Sequence, residues 1–428
     1  MGPFSFKKSV LSLSVAMILY YIIMELYYYY FVGIFYRKFQ MMLQVNADKY
    51  LETKILFVLM MIFSLYVSKK SEFIYAIFTF FMVTFFVPAL VNYSFQDQVP
   101  GPLYCTIVLL LSIGTISTYK IKTITLSNLH FSRGAILFLV ILTIVPFIYT
   151  YGLYFNLGNF LLDDINDTRS IYSMKSFMIV AYLYNWLVRA ILPLLLVSFL
   201  IKRQYLSAIF IIVFLVYLYA ISGNKTVYIT VFVVLFFYSF GEGWLEKAKL
   251  FLYALILVLI LFPFVDSLIE SHKLKGTFVM RLLLLPSHLD YFYFDLFKDK
   301  PLYFAESSFF KWFVHYPFDS PVGFVIAGTY FSAPDMNANN GIISDGYMNL
   351  GYWGVGLNIL IVSLIFMFFN SLPIDSRYLG IFFLLVFLLA GSPMLSLFIT
   401  SGLWILILFG LTLKKNERPL EAPSINHI

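Results

Sequence analysis

Charged side chains are scarce in this chain of 428 residues. Asp, Glu, Lys and Arg make up 12% of it, about half of the roughly 25% found in an ordinary soluble domain. Hydrophobic residues make up 61%, and the mean hydropathy is +0.88. Too little polar surface remains to cover a soluble domain of this size. The composition therefore excludes a soluble protein and indicates an integral membrane protein.

Several other features are missing, and each absence narrows the class further. The apolar runs are continuous, whereas the strands of a membrane β-barrel alternate over about ten residues, so an α-helical protein is predicted. The one cysteine, Cys105, lies in an apolar run and leaves no disulfide framework and no thiol metal site. No Walker motif and no sizeable inner loop is present. An energy source for this protein is therefore in its substrate, in an ion gradient, or absent.

Apolar runs long enough to span a membrane recur along the whole chain. A helix needs about 20 apolar residues to cross the hydrocarbon core. The sequence predicts about twelve such helices, with ten to thirteen as the range, in a single integral membrane domain over residues 1–428. The predicted spans are residues 10–34, 52–68, 72–91, 103–119, 134–155, 177–200, 206–222, 226–240, 249–269, 346–370, 378–392 and 394–412.

The distribution of Lys and Arg predicts the orientation. Short cytoplasmic loops carry an excess of these residues, and the excess is best explained with both termini in the cytoplasm. The only large hydrophilic segment, 270–345, then lies outside. Within it, the aromatic stretches 289–297 and 307–316 predict short amphipathic helices at the membrane surface, where Tyr and Trp are at home. The alternative is an inert extracellular loop.

Four cations lie at or outside the outer half of the predicted spans. Ionisable residues there are expensive to bury and are candidates for function. They come from separate segments, and together they suit one or two phosphates of a lipid-linked diphosphate, because Arg binds phosphate through paired hydrogen bonds. The predicted diphosphate-binding residues are Arg169, Arg189, Lys225 and Arg281.

Each of these cations also has a simpler interpretation. Arg189 could pair with a buried acid such as Glu25, or reach the interface. Lys225 lies in the polar break SGNKT, which is either an anion site or a plain turn with a solvated lysine. Arg169 follows the acids of LLDDIND (161–167), and it could equally pair with them. Those acids form the DDxxD pattern by which prenyltransferases hold Mg²⁺, but the second acidic motif of such enzymes is missing.

The outer segment also contains three of the five histidines, His272, His288 and His315. A lone surface histidine most often has no chemical role, but three in one segment favour a proton carrier among them. None is spaced from another at i,i+3 or i,i+4, so no metal site is predicted.

Three segments carry a resemblance to a known family. The turn SGNKT (222–226), the aromatic segment RLLLLPSHLDYFYF (281–294) and the element NANNGIISDGYMNLGYWGVG (337–356) resemble motifs of the Wzy-type repeat-unit polymerases of O-antigen and capsule synthesis. The layout of about twelve spans with one large outer loop is also similar. One departure is that Lys225 replaces the usual Arg of the turn. The simpler interpretation of 341–356 is a glycine-rich, closely packed helix entry.

The resemblance implies a GT-C-like membrane fold in the bacterial cytoplasmic (inner) membrane, with the active site facing the periplasm. The implied reaction transfers a growing glycan from undecaprenyl diphosphate to the terminal sugar of an incoming lipid-linked repeat unit. No metal, other cofactor or nucleic acid is expected. The expected partners are the undecaprenyl-diphosphate-linked substrates, membrane lipids, a chain-length regulator protein and a flippase.

The resemblance also implies roles for individual residues. The cations Arg189, Lys225 and Arg281 would stabilise the leaving diphosphate. The candidate general bases, which stay unranked, are His288, His315, Asp290 and Asp345. The residues expected to contact glycan are Tyr347 and Asn349, which with Asp345 would orient sugar hydroxyls, and Trp312, Tyr316 and Tyr330, which offer stacking faces.

Two other classes compete with the polymerase. A lipid-linked oligosaccharide flippase or transporter can also have about twelve spans, but the long outer loop breaks a two-half symmetry and the sequence reveals no corresponding pair of interrupted helices. An O-antigen ligase-like glycan transferase would share the donor and the cations but use a different acceptor lipid. A metal-dependent prenyltransferase is supported only by the acidic stretch 163–167.

Overall fold

The computed structural model describes residues 3–122, 143–152, 177–268, 274–307 and 310–412, and the single positions 168, 270 and 272. All regular secondary structure in these residues is helical, and eight helices are long and apolar enough to cross a membrane. The predicted all-α polytopic architecture is confirmed. The eight are α1 (Lys8–Phe35), α2 (Ala47–Lys70), α3 (Glu72–Phe95), α4 (Gly101–Thr118), α5 (Ile179–Ile201), α6 (Tyr205–Ser222), α8 (Gly243–Leu268) and α11 (Ile342–Asn370).

Shorter helices complete the fold. Three of them lie where the sequence predicts further spans: α7 (Lys225–Ser239), α12 (Leu379–Leu389) and α14 (Leu403–Thr412). Each falls short of the roughly 20 residues that cross a bilayer, so the predicted count of twelve stays a prediction. The predicted span 134–155 lies mostly outside the described residues. The other short helices are α9 (Leu285–Leu296), α10 (Val322–Phe331) and α13 (Met394–Ile399).

Hydrogen bonds join several loops of the helix bundle in two separate groups. In the first group, Ser71 Oγ donates to Asn370 Oδ1 at 2.8 Å, and Asn370 Nδ2 donates to Ser117 O at 3.0 Å. In the second group, the amide of Gln44 donates to Phe95 O at 2.8 Å, and Gln40 Nε2 donates to Tyr330 O at 2.6 Å. The loops joined in the first group are predicted to be cytoplasmic, and those joined in the second are predicted to be outer.

Helix α3 lies at the centre of the bundle. Every residue from Phe73 to Gln96 is buried, which is typical of a helix that is hydrophobic on all sides. The ring of Phe80 meets Phe237, Phe251 and Phe383 at centroid distances of 5.8, 5.9 and 5.1 Å, in the edge-to-face geometry that aromatic pairs prefer. Aromatic packing of this kind accounts for many of the 49 phenylalanines.

Helix α11 folds back on itself near its start. Leu350 (φ −139°, ψ 19°) and Gly351 (φ 61°, ψ −147°) leave the helical conformation, and Gly351 suits the left-handed region because it has no Cβ. Asn358 Nδ2 donates to Ile342 O at 2.9 Å although 16 residues separate them. In a straight helix that separation would span about 24 Å. The first part of α11 (342–350) therefore lies against the second part (351–370).

The long segment 270–345 differs from its prediction. Residues 289–297 were predicted to form a helix at the membrane surface, but the residues of α9 from Ser287 to Phe294 are all buried. The helix packs among α3, α4 and α11, so its aromatic side chains are covered on all sides. Within the predicted helix 307–316, the structure has one short 3₁₀ turn, Phe310–Trp312, and Trp312 is 83% exposed.

The contact between the two parts of α11 generates the first prediction. A Cβ added to Gly354 would lie 2.1 Å from Gly346 O, whereas one added to Gly356 would meet nothing within 4 Å. We expect Gly354→Ala to lower the thermal unfolding temperature of the detergent-solubilised protein, because overpacking typically destabilises by roughly 1–3 kcal/mol. The matched control Gly356→Ala should leave that temperature unchanged or slightly higher, since alanine favours the helix. Equal losses in both variants would contradict a close approach of the two parts.

Candidate functional site

The buried carboxylate of Asp345 lies at the centre of the element that resembles the polymerase motif. Its Oδ1 accepts from Asn349 Nδ2 at 3.1 Å, and its Oδ2 accepts from Asn358 Nδ2 at 3.2 Å and from the amide of Met394 at 3.0 Å. Burial of a carboxylate is unfavourable unless hydrogen bonds compensate it, and these three donors do so. Asp345 thereby joins both parts of α11 to the first residue of α13.

Asn349 holds a neighbouring loop in place. Its Oδ1 accepts from the amide of Phe304 at 2.8 Å, and its main-chain carbonyl accepts from the amide of Tyr303 at 3.1 Å. Tyr303 and Phe304 have φ of 50° and 62°, a conformation that is strained for aromatic residues and persists only where surrounding contacts impose it. The predicted glycan-contacting amide of Asn349 is thus engaged within the protein.

Aromatic rings surround the point at Leu350 and Gly351 where α11 folds back on itself. Tyr347 stacks on Phe294 with ring centroids 3.7 Å apart and planes 9° from parallel, and it meets the edge of Tyr352 at 5.2 Å. Tyr347 itself is buried, whereas Tyr352 is 61% and Trp353 88% exposed. These two exposed rings are absent from the residues predicted above. Their signal in the sequence is the run GYWGVG (351–356), directly after the predicted Asn349.

His288 is sealed inside the bundle on α9. Its Nε2 donates to Phe39 O at 2.8 Å, and its Nδ1 has no hydrogen-bond partner among the residues that the structure describes. Burial lowers the pKa of His288 to about 4, although the bond to Phe39 opposes this shift. The ring is therefore neutral at neutral pH, and Nδ1 holds a free lone pair.

Asp290 lies two residues further along α9 and is only 6% exposed. Burial raises the pKa of Asp290 to about 7, and hydrogen bonding by Ser344 opposes part of the rise. At neutral pH, a carboxyl group with such a pKa is present in both protonation states. General acid–base catalysis uses this property.

Arg281 precedes these two residues on the same continuous helical stretch. It lies in a π-helical segment, Lys275–Leu284, which leads directly into α9. Its side chain is exposed, and no carboxylate among the described residues lies within salt-bridge distance. Its charge acts on Tyr36, lowering the pKa of that phenol against the larger upward effect of burial. An exposed guanidinium without an acidic partner is free to bind an anion.

Arg189 lies at a second irregularity, a π-helical turn at Leu187–Ile191 within α5. Such turns recur at functional sites. Its Nη1 donates to Ser401 Oγ at 2.5 Å, while Trp186 Nε1 donates to Ile399 O at 2.7 Å. Both contacts fall on the break between α13 and α14, where Gly402 has φ of 80°. The run 394–412, predicted as one span, is thus two helices.

The alternative in which Arg189 pairs with Glu25 is not found in the structure. Glu25 forms a salt bridge with Lys54, which also lies 4.3 Å from the centroids of both Tyr21 and Tyr50. In the part of the chain that the structure describes, Arg189 has no carboxylate within salt-bridge distance. The hydroxyl of Ser401, to which it donates, is neutral, so its charge remains available.

The SGNKT turn lies against the helix that carries Arg189. Gly223 ends α6 in the left-handed conformation with φ of 59°. Ser222 Oγ lies 2.7 Å from the hydroxyl of Tyr184 on α5 and accepts from the amide of Asn224 at 3.2 Å. The structure therefore brings the turn and Arg189 to one region. The side chain of Lys225, and all of Arg169 and the acidic stretch 163–167, lie outside the described residues.

The remaining predicted residues lie in the long segment 270–345. Tyr316 donates from its hydroxyl to Ser320 O at 2.7 Å, and Tyr330 donates to Asp295 Oδ2 at 2.6 Å. His315 and Trp312 are exposed. The site residues thus form two groups. Arg281, His288, Asp290, Asp345, Tyr347 and Asn349 lie on the packed pair α9 and α11, and Arg189 lies with the SGNKT turn.

Helix α13 links these groups, since Asp345 binds its first residue, Trp186 donates to its last residue and Arg189 donates to Ser401 just beyond it. Comparisons with known protein families, with curated proteins and with solved structures find no match to this chain. The geometry of these two groups is therefore the basis for a proposal about function.

His288 generates a prediction about pH. The unfolded chain takes up a proton near pH 6.5 that the folded protein accepts only near pH 4. Stability is therefore present above pH 6.5 and falls as the pH drops through this window, by at most about 3 kcal/mol. We expect His288→Gln, which keeps an N–H donor for Phe39, to show a smaller loss of unfolding temperature between about pH 7 and about pH 4.5.

The matched control is His315→Gln, because His315 is exposed on the same segment 270–345. It should follow the wild-type profile. If His288→Gln lost as much unfolding temperature at low pH as the wild type, burial of the neutral His288 ring would not be the cause of the pH dependence.

Proposed function

We propose that this chain is a Wzy-type polysaccharide polymerase of the bacterial inner membrane. It transfers a growing glycan from undecaprenyl diphosphate onto the terminal sugar of an incoming lipid-linked repeat unit, at the outer face of the membrane. The observation that carries the proposal is the pair Arg189 and Arg281. Each lacks a carboxylate partner among the described residues, and each lies beside a motif that resembles the family.

The proposed step is a displacement at the anomeric carbon of the donor. The bond from this carbon to the diphosphate oxygen breaks while a bond forms to the acceptor hydroxyl oxygen, whose proton passes to a base. The diphosphate leaves with the bonding electrons, and guanidinium groups stabilise its growing charge. Cleavage of the bond between the sugar and the diphosphate supplies the free energy of the step, so nucleotide is not required.

The structure distinguishes the environments of the four candidate bases. The carboxylate of Asp345 is engaged by three N–H donors. His288 and Asp290 are enclosed, so either could reach an acceptor only if the packing around α9 opened. His315 is exposed. His315 is therefore favoured as the group that takes the acceptor proton. His288 or Asp290 could do so only after α9 rearranged.

Exposed aromatic rings support glycan binding by the same region. Trp353, Tyr352 and Trp312 are 88, 61 and 83% exposed. Trp353 and Tyr352 immediately follow the fold in α11. Such rings present flat apolar faces together with a polar edge, which suits contact with a sugar.

A lipid-linked oligosaccharide flippase or transporter is the second candidate, and two interrupted helices favour it. Helix α11 is broken at Leu350–Gly351 and the pair α13–α14 is broken before Gly402. Discontinuous helices form the substrate and ion sites of many transporters. Both breaks lie after residue 340, so they form no pair across the two halves of the chain.

Loss of Arg281 tests the polymerase. Purified protein in lipid nanodiscs is given synthetic undecaprenyl-diphosphate-linked repeat units without nucleotide, and the products are separated by length. We expect the wild type to form a ladder of chains and Arg281→Ala to extend them roughly 10²–10³-fold more slowly, the typical loss when one charge-stabilising donor is removed. Arg281→Lys should keep part of the activity, because it retains the charge but loses the paired hydrogen bonds.

The control is Lys300→Ala, an exposed cation beyond α9, which should match the wild type. A full-length ladder from Arg281→Ala would exclude this arginine from the site. If the wild type moves lipid-linked glycan across liposome membranes without lengthening it, the transporter is correct.

The orientation is tested by cysteine labelling. Cys105 is buried, so the background with a membrane-impermeant maleimide is low. In intact spheroplasts we expect Lys298→Cys to be labelled, and the matched exposed variant Lys120→Cys to react only after permeabilisation. The reverse pattern would place α9 on the cytoplasmic side and contradict an outer active site.

A further inference from the structure

A small cavity lies beside Asp290. Its volume is about 10 Å³, close to the smallest space that holds one water molecule. It is lined by five elements, namely α3, α4, α9, the start of α11 and the end of α12. The lining residues with a side-chain oxygen are Asp290, Ser287, Thr84 and Thr106.

The three hydroxyl groups offer only lone pairs to this cavity. Thr84 and Thr106 donate their protons to carbonyls of their own helices, Phe80 O at 2.9 Å and Pro102 O at 3.0 Å. Ser287 donates to Leu284 O at 3.2 Å and accepts from Asn92 Nδ2 at 2.7 Å, which leaves one lone pair on its oxygen. Each hydroxyl has one proton, so none remains for a ligand. A carboxylate and three committed hydroxyls make the surroundings rich in acceptors.

The end of α12 adds further negative potential. A Cβ on Gly341 would lie 2.5 Å from Ala390 O and 3.1 Å from Leu389 O, so only a glycine lets these carbonyls come this close. They belong to the C-terminal end of α12, where helix carbonyls lack intrahelical donors and carry partial negative charge. Gly341 and Ala390 both line the cavity, so the carbonyl end of α12 lies close to it.

No positive charge compensates this arrangement within the described part of the chain. No lysine, arginine or histidine there lies within salt-bridge distance of Asp290, and the ring of nearby His288 is committed to Phe39. Hydrogen bonding by Ser344 offsets only part of the cost of burying this carboxylate, and a buried charge without an opposite charge is unfavourable. The cavity beside it is large enough for one small ion, and one positive charge would neutralise the single negative charge of Asp290.

We propose that this cavity binds a small monovalent cation, with Na⁺ as the best fit. The carboxylate of Asp290 supplies the charge, and the hydroxyls of Ser287, Thr84 and Thr106 with the carbonyl end of α12 supply neutral oxygens. Hard cations prefer such oxygen ligands, and carbonyl ends of interrupted helices hold Na⁺ in transporters. The ion would connect α3, α4 and α9 to the start of α11. The proposed glycosyl transfer does not require this ion.

Thermal unfolding and direct binding test this site without any measurement of glycan transfer. The thermal unfolding temperature of the full chain in detergent is measured at increasing NaCl concentrations. N-methyl-D-glucamine chloride keeps the ionic strength constant, and ²²Na⁺ binding is measured in parallel. We expect the unfolding temperature to rise with sodium, since a ligand of the folded state alone stabilises it, and binding to saturate at one ion per chain. The larger K⁺ should act more weakly.

Two variants identify the ligands, and a third is the control. Asp290→Asn should lose both the sodium-dependent shift and ²²Na⁺ binding while remaining folded, because the amide is isosteric and uncharged. Thr106→Val should weaken sodium binding roughly tenfold, the factor expected for one lost contact to a charge. Asp295→Asn, on the exposed side of the same helix, should respond like the wild type.

An unfolding temperature that is equal in sodium and in N-methyl-D-glucamine chloride would overturn the site. So would a sodium response that survives in Asp290→Asn. Neither result bears on glycan transfer, because a polymerase without a bound cation would still lengthen lipid-linked repeat units.

Discussion

The buried carboxylate of Asp345 is the interaction on which the arrangement of the site depends. Its three hydrogen bonds reach the turn at Asn349, the later part of α11 at Asn358 and the first residue of α13 at Met394. A charged group removed from water is tolerated only when its lone pairs are occupied. The fold of α11 at Leu350–Gly351 brings those donors together, so the break in the helix and the buried acid stabilise each other.

Helix α13 carries this constraint from one group of site residues to the other. It is six residues long, with a carboxylate at its first amide and the guanidinium of Arg189 just beyond its last turn. That placement of charges complements the helix dipole at both ends. A short helix that would be unstable alone is thus held by Asp345 and Arg189, and a displacement of either end is transmitted to the other.

Hydropathy predicts the helical, polytopic character of the chain and eight helices of spanning length, because the cost of exposing polar backbone to lipid allows few structures there. It does not predict what a helix packs against. The segment LDYFYFDLF has the composition of a surface helix, yet Phe294 stacks on Tyr347 and the whole stretch is enclosed. The sequence also does not predict the partner of Arg189, because the candidate acid Glu25 pairs with Lys54 instead. Glycines were the better guide, because Gly346 and Gly354 mark the close approach of the two parts of α11 and Gly351 marks the break between them.

The complete enclosure of α3 has a consequence for biogenesis. This helix leaves the ribosome early, and its apolar sequence is suited to enter the bilayer without help, where lipid surrounds it. The amide of Asn92 finds its acceptors only on residues 284 and 287, at 2.9 and 2.7 Å, and these are synthesised nearly two hundred residues later. Until then Asn92 has no such acceptors. The mature contacts of α3 therefore form late, and lipids must leave its surface as the helices of the second half of the chain arrive.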